Sequence, residues 1–240
     1  MISSNSILIP QFSTNPKLAL DFYNINGYHI EKNVWSETEI LDINKAASDL
    51  ASINNNLNYS PIIHGDRHSD VFLNCAQNSK VLNIVKHILG NDIFGLQTVY
   101  YFCKPGTKGF TLHQDNFYVK TSRDAFLTTW SPLIDVNPER GSLVAYPSSH
   151  KEEILEVTDS FIQPGTDQPA ALECILPFGY LPTSLDAPKG SCVFMHGHLV
   201  HSSCDNISNL FRKTFLTTYI KSGHIFNSGK TERRLIDLNF

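Results

Sequence analysis

From residue 93 onward the chain breaks into short apolar runs with no helical stretch between them, and this restricts its fold more than any other feature. The runs are 93–103, 110–119, 125–133, 142–146, 191–196 and 210–220. Lys104-Pro105-Gly106, residues 137–141 and Ala187-Pro188-Lys189-Gly190 separate some of them, and Pro, Gly and Asn grouped in this way mark turns. Strands that follow one another without crossover helices pair antiparallel. A mainly β fold with flanking helices is therefore expected, its core a sandwich or a jelly-roll barrel. Fifteen Phe and nine Tyr suit such a core, because aromatic side chains pack well on pleated surfaces.

Helical signals gather ahead of residue 93. Residues 15–26 read as a helix closed by Gly27, with Leu18, Phe22 and Ile25 on one face, and Tyr28-His29-Ile30 reads as a strand. Ser36 and Glu39 have capping-box spacing and open a helix to about Ala51. Ser79 is expected to cap a helix over 80–89 that Gly90 ends. No repeat or linker divides the 240 residues, so one domain is expected: helices over about 15–90 and a core over about 91–222. Residues 151–188 are proline-rich and weakly periodic, and read as a lid-like insertion over the barrel mouth.

The formal net charge of −4, with no basic stripe, gives no reason to expect nucleic acid and leaves small molecules as the expected partners. Five cysteines without a CxxC spacing argue against a disulfide framework or a zinc site and fit a reducing, cytoplasmic setting. The first ten residues lack the basic and apolar regions of a signal peptide, and no stretch reaches the roughly 20 apolar residues of a membrane span.

Three His-x-Asp pairs stand in the chain: His64/Asp66, His68/Asp70 and His113/Asp115; His150/Glu152 adds a His-x-Glu. On a strand, such a pair points to one face and offers two corners of a metal site. Spacing alone is weak, since ten His and 23 acidic residues give about one such pair by chance. Context selects His113 and Asp115, which follow a Pro-Gly turn and have strand-like flanks. The stretch 64–70 has no apolar residue and reads as a solvated loop, whose His64, Arg67 and His68 are candidate substrate determinants. His150 reads as an exposed turn. A second histidine from another strand completes a 2-His-1-carboxylate set, which suits Fe(II) and leaves coordination positions open. His196, His198 and His201 compete for that place. Arg212, eleven residues after His201, carries the planar fork suited to a carboxylate, and Ser203 shares the parity of His201 and can add a hydroxyl. These partners favour His201.

The chain resembles the phytanoyl-CoA dioxygenase family of 2-oxoglutarate oxygenases from about Leu18 to Lys221. Four blocks carry the likeness: residues 22–28; Lys104-Pro105-Gly106 leading to His113-Gln114-Asp115; residues 130–135 with 139–143 and Pro147-Ser148-Ser149-His150; and Lys189-Gly190-Ser191 to Phe194 with His201-Ser202-Ser203, Asn206 and Arg212. The resemblance implies a double-stranded β-helix core using Fe(II), 2-oxoglutarate and O2. It implies that His113, Asp115 and His201 hold iron and that Arg212 and Ser203 hold the far carboxylate of 2-oxoglutarate. Trp130 matches a family tryptophan at the cosubstrate, or is a core aromatic. Gln97 and Tyr101 line the pocket if Cys103 points inward, and Gln97 is then expected to join Arg212, Ser203 and Trp130 at 2-oxoglutarate. His150 matches a closing histidine taken as structural. A carboxylate at Asp115, where related halogenases have a small residue, points to oxygen chemistry. Hydroxylation is the expected outcome. Epimerisation, desaturation or ring closure by the same reagent stays open, as does a non-catalytic cupin-like binder.

Overall fold

The computed structural model describes residues 8–53, 60–159 and 172–238. Helix α1 (Pro16–Asn26) leads through Gly27 into β1 (Tyr28–Glu31), and α2 (Glu37–Ile53) follows. Next come β2 (Ile62–Ile63), α3 (Asp70–Ala76), α4 (Ser79–Leu89), the long β3 (Ile93–Cys103) and the one-turn α5 (Asn116–Val119). The remaining elements are strands: β4 (Phe126–Pro132), β5 (Leu143–Ala145), β6 (Val157–Asp159), β7 (Leu172–Cys174), β8 (Thr183–Leu185), β9 (Cys192–His196), β10 (His201–Ser203) and β11 (Arg212–Lys221).

The capping box opens α2 as expected: the Ser36 hydroxyl and backbone N–H both donate to Glu39, and Glu39 N–H donates back to Ser36. Two helix expectations need correction. The cap of α4 is Asn78, one residue earlier, because its carboxamide accepts from the N–H groups of Lys80 and Val81. In α1 the buried positions are Ala19 and Tyr23, while Leu18 and Ile25 are exposed. Ala19 and Tyr23 pack into the helical core, and Phe22, partly buried, packs against the cluster that holds Tyr28 and Ile30.

One sheet runs β1-β9-β4-β11-β3-β2 and a second runs β10-β5-β8, every pairing antiparallel. Period-2 alternation gives the larger sheet two apolar faces. Cys192 and Phe194 point to α1–α4 together with Leu127, Phe215 and Tyr219. Val193 and Met195 point the other way with Trp130, and there meet Leu143, Ala145 and Leu185 of the smaller sheet. The site lies along this second face.

The segment 151–188 is less of an excursion than expected. Its end, β8, pairs with β5 and belongs to the smaller sheet, while β6 and β7 form a separate pair; residues 160–171 lie outside the described ones. The stretch 64–70 is not a solvated loop either. His64 and Gly65 are buried, and α3 begins at Asp70. His150 is buried too, its ring against the carbonyl of Asn24 at 3.1 Å. Among the described residues, no helix is long and apolar enough to cross a membrane.

Candidate metal centre

Of the expected strands, 110–119 did not form, and this matters for the site. His113 is extended and exchanges both backbone hydrogen bonds with His201, each 3.0 Å long, so the two histidines sit side by side at the edge of β10. Asp115 has turned into helical backbone (φ −60°, ψ −36°) at the start of α5. The two side chains thus converge through a turn rather than through the pleat. Between them, Gln114 is buried and points away. Its amide donates to the carbonyls of His198 and Glu153, and its oxygen accepts from Leu155 N–H. Asn116 is also buried, with its carboxamide on both backbone groups of Thr121. Two buried amides next to the site cannot lie in a regular ladder and still be satisfied, which is why the strand pattern failed.

His113, Asp115 and His201 bring one ligand atom each within 4.8 Å of one another. His113 Nε2 is 3.5 Å and His201 Nε2 3.9 Å from Asp115 Oδ1. Each ring is oriented from behind: His113 Nδ1 lies 2.7 Å from the Thr111 carbonyl and His201 Nδ1 3.1 Å from that of Leu199. A carbonyl accepts only, so the proton is on Nδ1 and the Nε2 lone pairs face the centre, as in metal-ligating histidines. Burial and the neighbouring His113 pull His201 down to about 4, against the pull of Asp115. Burial pushes the Asp115 carboxyl up, but His201, His113 and Thr128 together outweigh it and hold the group below the usual range. Two imidazoles and a carboxylate suit Fe(II).

The competing histidines are spent elsewhere. His196 Nε2 lies 3.1 Å from Asp124 Oδ1, and its Nδ1 accepts from His198 N–H. His198 contacts the Glu152 carbonyl and the Asn116 carboxamide. His29 and Glu31 form a further His-x-acid pair. It sits on β1, buried and joined at 2.9 Å, with Glu31 also accepting from Phe12 and Ser13 N–H. Its role is to hold the N-terminal segment.

Two compartments meet at the triad. The smaller, about 70 Å³, is lined by Trp130, Ser203 and Arg212 beside all three triad residues. Arg212 is buried; it donates to the Gly141 carbonyl at 2.6 Å and lies 2.9 Å from Cys103 Sγ, and its Nε has no partner. Among the described residues, no carboxylate pairs with it. A buried guanidinium without a counter-ion is costly, so the compartment is built for an anion. Ser203 Oγ accepts from Phe110 N–H at 2.9 Å, which leaves its hydrogen available. The larger compartment, about 410 Å³, is lined by Gln97, Tyr101, Tyr118, Thr218 and Arg233 with His113 and Asp115. Cys103 does point inward, as the parity of Gln97 and Tyr101 requires. Gln97, however, lines only the larger compartment, its oxygen accepting from Arg233 Nε at 2.9 Å. Arg233 lies beyond the stretch that sequence patterns had assigned to the core. Its one visible signal is the isolated apolar pair Ile236 and Leu238, which buries the tail against Gly95 and the helical core.

The model of the Phytanoyl-CoA dioxygenase (PhyH) family matches residues 23–214. The chain belongs to this family. A phytanoyl-CoA dioxygenase of Arabidopsis thaliana is 30% identical over 132 residues, which is 53% of this chain and 44% of that protein. The chain spans about half the length of the curated relatives it matches. Among solved structures, the non-heme alpha ketoglutarate dependent carbocyclase SnoK superposes with TM-score 0.73 at 18% identity, covering 92% of this chain and 90% of its own. The epimerase SnoN in complex with Fe3+, alpha ketoglutarate and nogalamycin RO gives 0.66 at 19%, covering 88% and 85%. At these identities the likeness is one of fold.

Proposed function

We propose that the protein is an Fe(II)- and 2-oxoglutarate-dependent oxygenase that acts on a small molecule, with its two facing sheets forming a double-stranded β-helix (jelly-roll) core. His113, Asp115 and His201 would hold the iron. Arg212 and Ser203 would take the far carboxylate of 2-oxoglutarate, with Trp130 walling the same compartment. The observation that carries this reading is the buried, unpaired Arg212 placed across a small cavity from the triad. A protein that only binds metal has no use for that arrangement.

Iron with 2-oxoglutarate and O2 supplies an oxidant that attacks unactivated C–H bonds, with succinate and CO2 as coproducts. The chain's own work is to orient and exclude. The Thr111 and Leu199 carbonyls fix the histidine rings, and Arg212, whose Nε has no partner, would bind the far carboxylate of the dicarboxylate. Phe110 and Leu216 wall both compartments and keep water from the space between them. Gln97 is assigned to the substrate side, where it positions Arg233. Five free cysteines suit a reducing compartment of the cytoplasmic kind.

Hydroxylation is the reaction proposed. Epimerisation or ring closure by the same reagent is the second reading, which the product's mass separates because only hydroxylation adds oxygen. The test of the reagent is twofold. Anaerobic Fe(II) with 2-oxoglutarate should give the weak visible charge-transfer band of the chelate, and His113→Ala and Asp115→Ala should abolish both that band and succinate formation. Retention of full turnover in either variant would overturn the assignment.

A further inference from the structure

The larger compartment holds a cation that the proposed reaction does not use. Arg233 reaches it from the C-terminal segment, and that segment is fastened at several points. Ile236 exchanges backbone hydrogen bonds with Gly95 (3.0 and 2.8 Å), Leu238 is buried in the helical core, Gln77 donates to the Asp237 carbonyl at 3.0 Å and Arg67 donates to that of Glu232. The guanidinium itself is aimed by Gln97 at 2.9 Å and, loosely, by the Asn227 carbonyl at 3.5 Å. Among the described residues, its Nη2 has no partner and no carboxylate forms an ion pair with it. Burial draws its pKa down, against the pull of Asp115 and Tyr101. Asp115 is the only acidic residue among the described ones that line this compartment, and a dication on the triad would consume its charge. The Thr218 and Thr231 hydroxyls, which line the same space, are buried without partners. A cation and two hydroxyls left unsatisfied in one cavity point to a ligand that satisfies them.

We propose that this compartment selects a small organic monoanion, its carboxylate held by Arg233 with help from Thr218 and Thr231, its hydrocarbon body lying against Phe110, Tyr118 and Leu216. Arg233 is then a substrate-binding, specificity-determining residue. A planar guanidinium matches a carboxylate in two parallel hydrogen bonds. Arg233 is the only lysine or arginine among the described residues that line this compartment, and one cation fits a single charge better than a phosphate dianion. The volume of about 410 Å³ fits a compact ligand. The proposal rests on the oxygenase reading for the direction in which the body lies, toward His113 and Asp115. The anion site itself stands on the protein's own residues.

The test uses octanoate and its neutral isostere octanamide, titrated calorimetrically into the full chain under anaerobic conditions. It is run once with Fe(II) and 2-oxoglutarate and once metal-free. A charge-assisted hydrogen bond is worth about 1.5–3 kcal/mol, so octanoate should bind at least about tenfold more tightly than octanamide. Arg233→Gln should remove that preference by weakening octanoate alone, Arg233→Lys should keep part of it, and the charge-transfer band should be unchanged in both. Equal binding of the two probes, no octanoate binding by the natural chain, or an unchanged preference in Arg233→Gln would overturn the proposal. So would a loss of 2-oxoglutarate affinity in Arg233→Gln, which would assign Arg233 to the cosubstrate. Absence of the band in the natural chain would sink the oxygenase reading, and the metal-free titration would still decide the anion site.

Discussion

Arg212 shows how a single residue carries the functional argument. It sits on β11 with the same parity as Leu216 and Thr218, so the pleat that buries Phe215 and Tyr219 under the helices turns Arg212 toward the triad. Removing one partner of a buried, hydrogen-bonded charge pair costs about 2–5 kcal/mol of binding. Arg212→Met, of similar length and apolar, should therefore weaken 2-oxoglutarate by at least about thirtyfold. Without cosubstrate the same variant loses its bond to the Gly141 carbonyl but sheds an unpaired buried charge, so its stability should change by less than about 2 kcal/mol. Calorimetric titration and urea unfolding measure the two quantities. A large loss of stability with unaltered affinity would make Arg212 a structural group. The grouping of His201 with His113 and Asp115 matches the sequence reading, in which Ser203 shares the parity of His201 and Arg212 stands on the next strand-like run. Arg233 was not legible, because it stands beside Glu232 and Arg234 in a polar run, 230–234, that has no strand or helix periodicity to mark which side chain turns inward.

Among the elements, those governed by local rules matched their sequence signals: the Ser36 box, the Gly27 cap, and β3 and β11, whose register holds except for one bulge at Leu96. Those decided by tertiary contacts did not. The segment carrying His113 and Asp115 looked like a strand because apolar residues flank it, but two buried amides bend it into α5. What holds it in place is its approach to β10, made possible by Gly109. A Cβ there would come 1.8 Å from the Ser203 carbonyl oxygen, a backbone atom that cannot swing aside. Gly109→Ala should push this segment off β10 and separate His113 from His201. The expected result is at least about 2 kcal/mol lost from folding, since overpacking against backbone is among the costlier substitutions. Fe(II) affinity should fall as well, read by titration with the metal. Unchanged metal affinity would show that the triad does not depend on this contact.

At the scale of the molecule, the site is a seam. The larger sheet supplies Trp130, Arg212 and Leu216, the smaller sheet supplies His201 and Ser203, and the irregular segment between β3 and α5 supplies His113 and Asp115. None of these groups comes together until both sheets have packed through Val193, Met195, Leu143 and Leu185. A ligand that spans the seam binds only the folded chain, so it should stabilise the whole fold by mass action. At a free concentration one hundred times its dissociation constant, one ligand contributes about 2.7 kcal/mol. For a chain of this size each kcal/mol raises the melting temperature by about 2–4 °C, so Mn(II) as a redox-silent stand-in should give a rise of about 5–10 °C. Adding 2-oxoglutarate should give a second increment of similar size. The two increments have different owners. Asp115→Ala should lose the metal's, and with it most of the cosubstrate's, because on the proposed reading the metal would hold one end of the dicarboxylate. Arg212→Met should keep the metal's increment and lose the other. If 2-oxoglutarate raised the melting temperature equally in the natural chain and in Arg212→Met, the anion in the small compartment would be something else, and the buried arginine would need another partner.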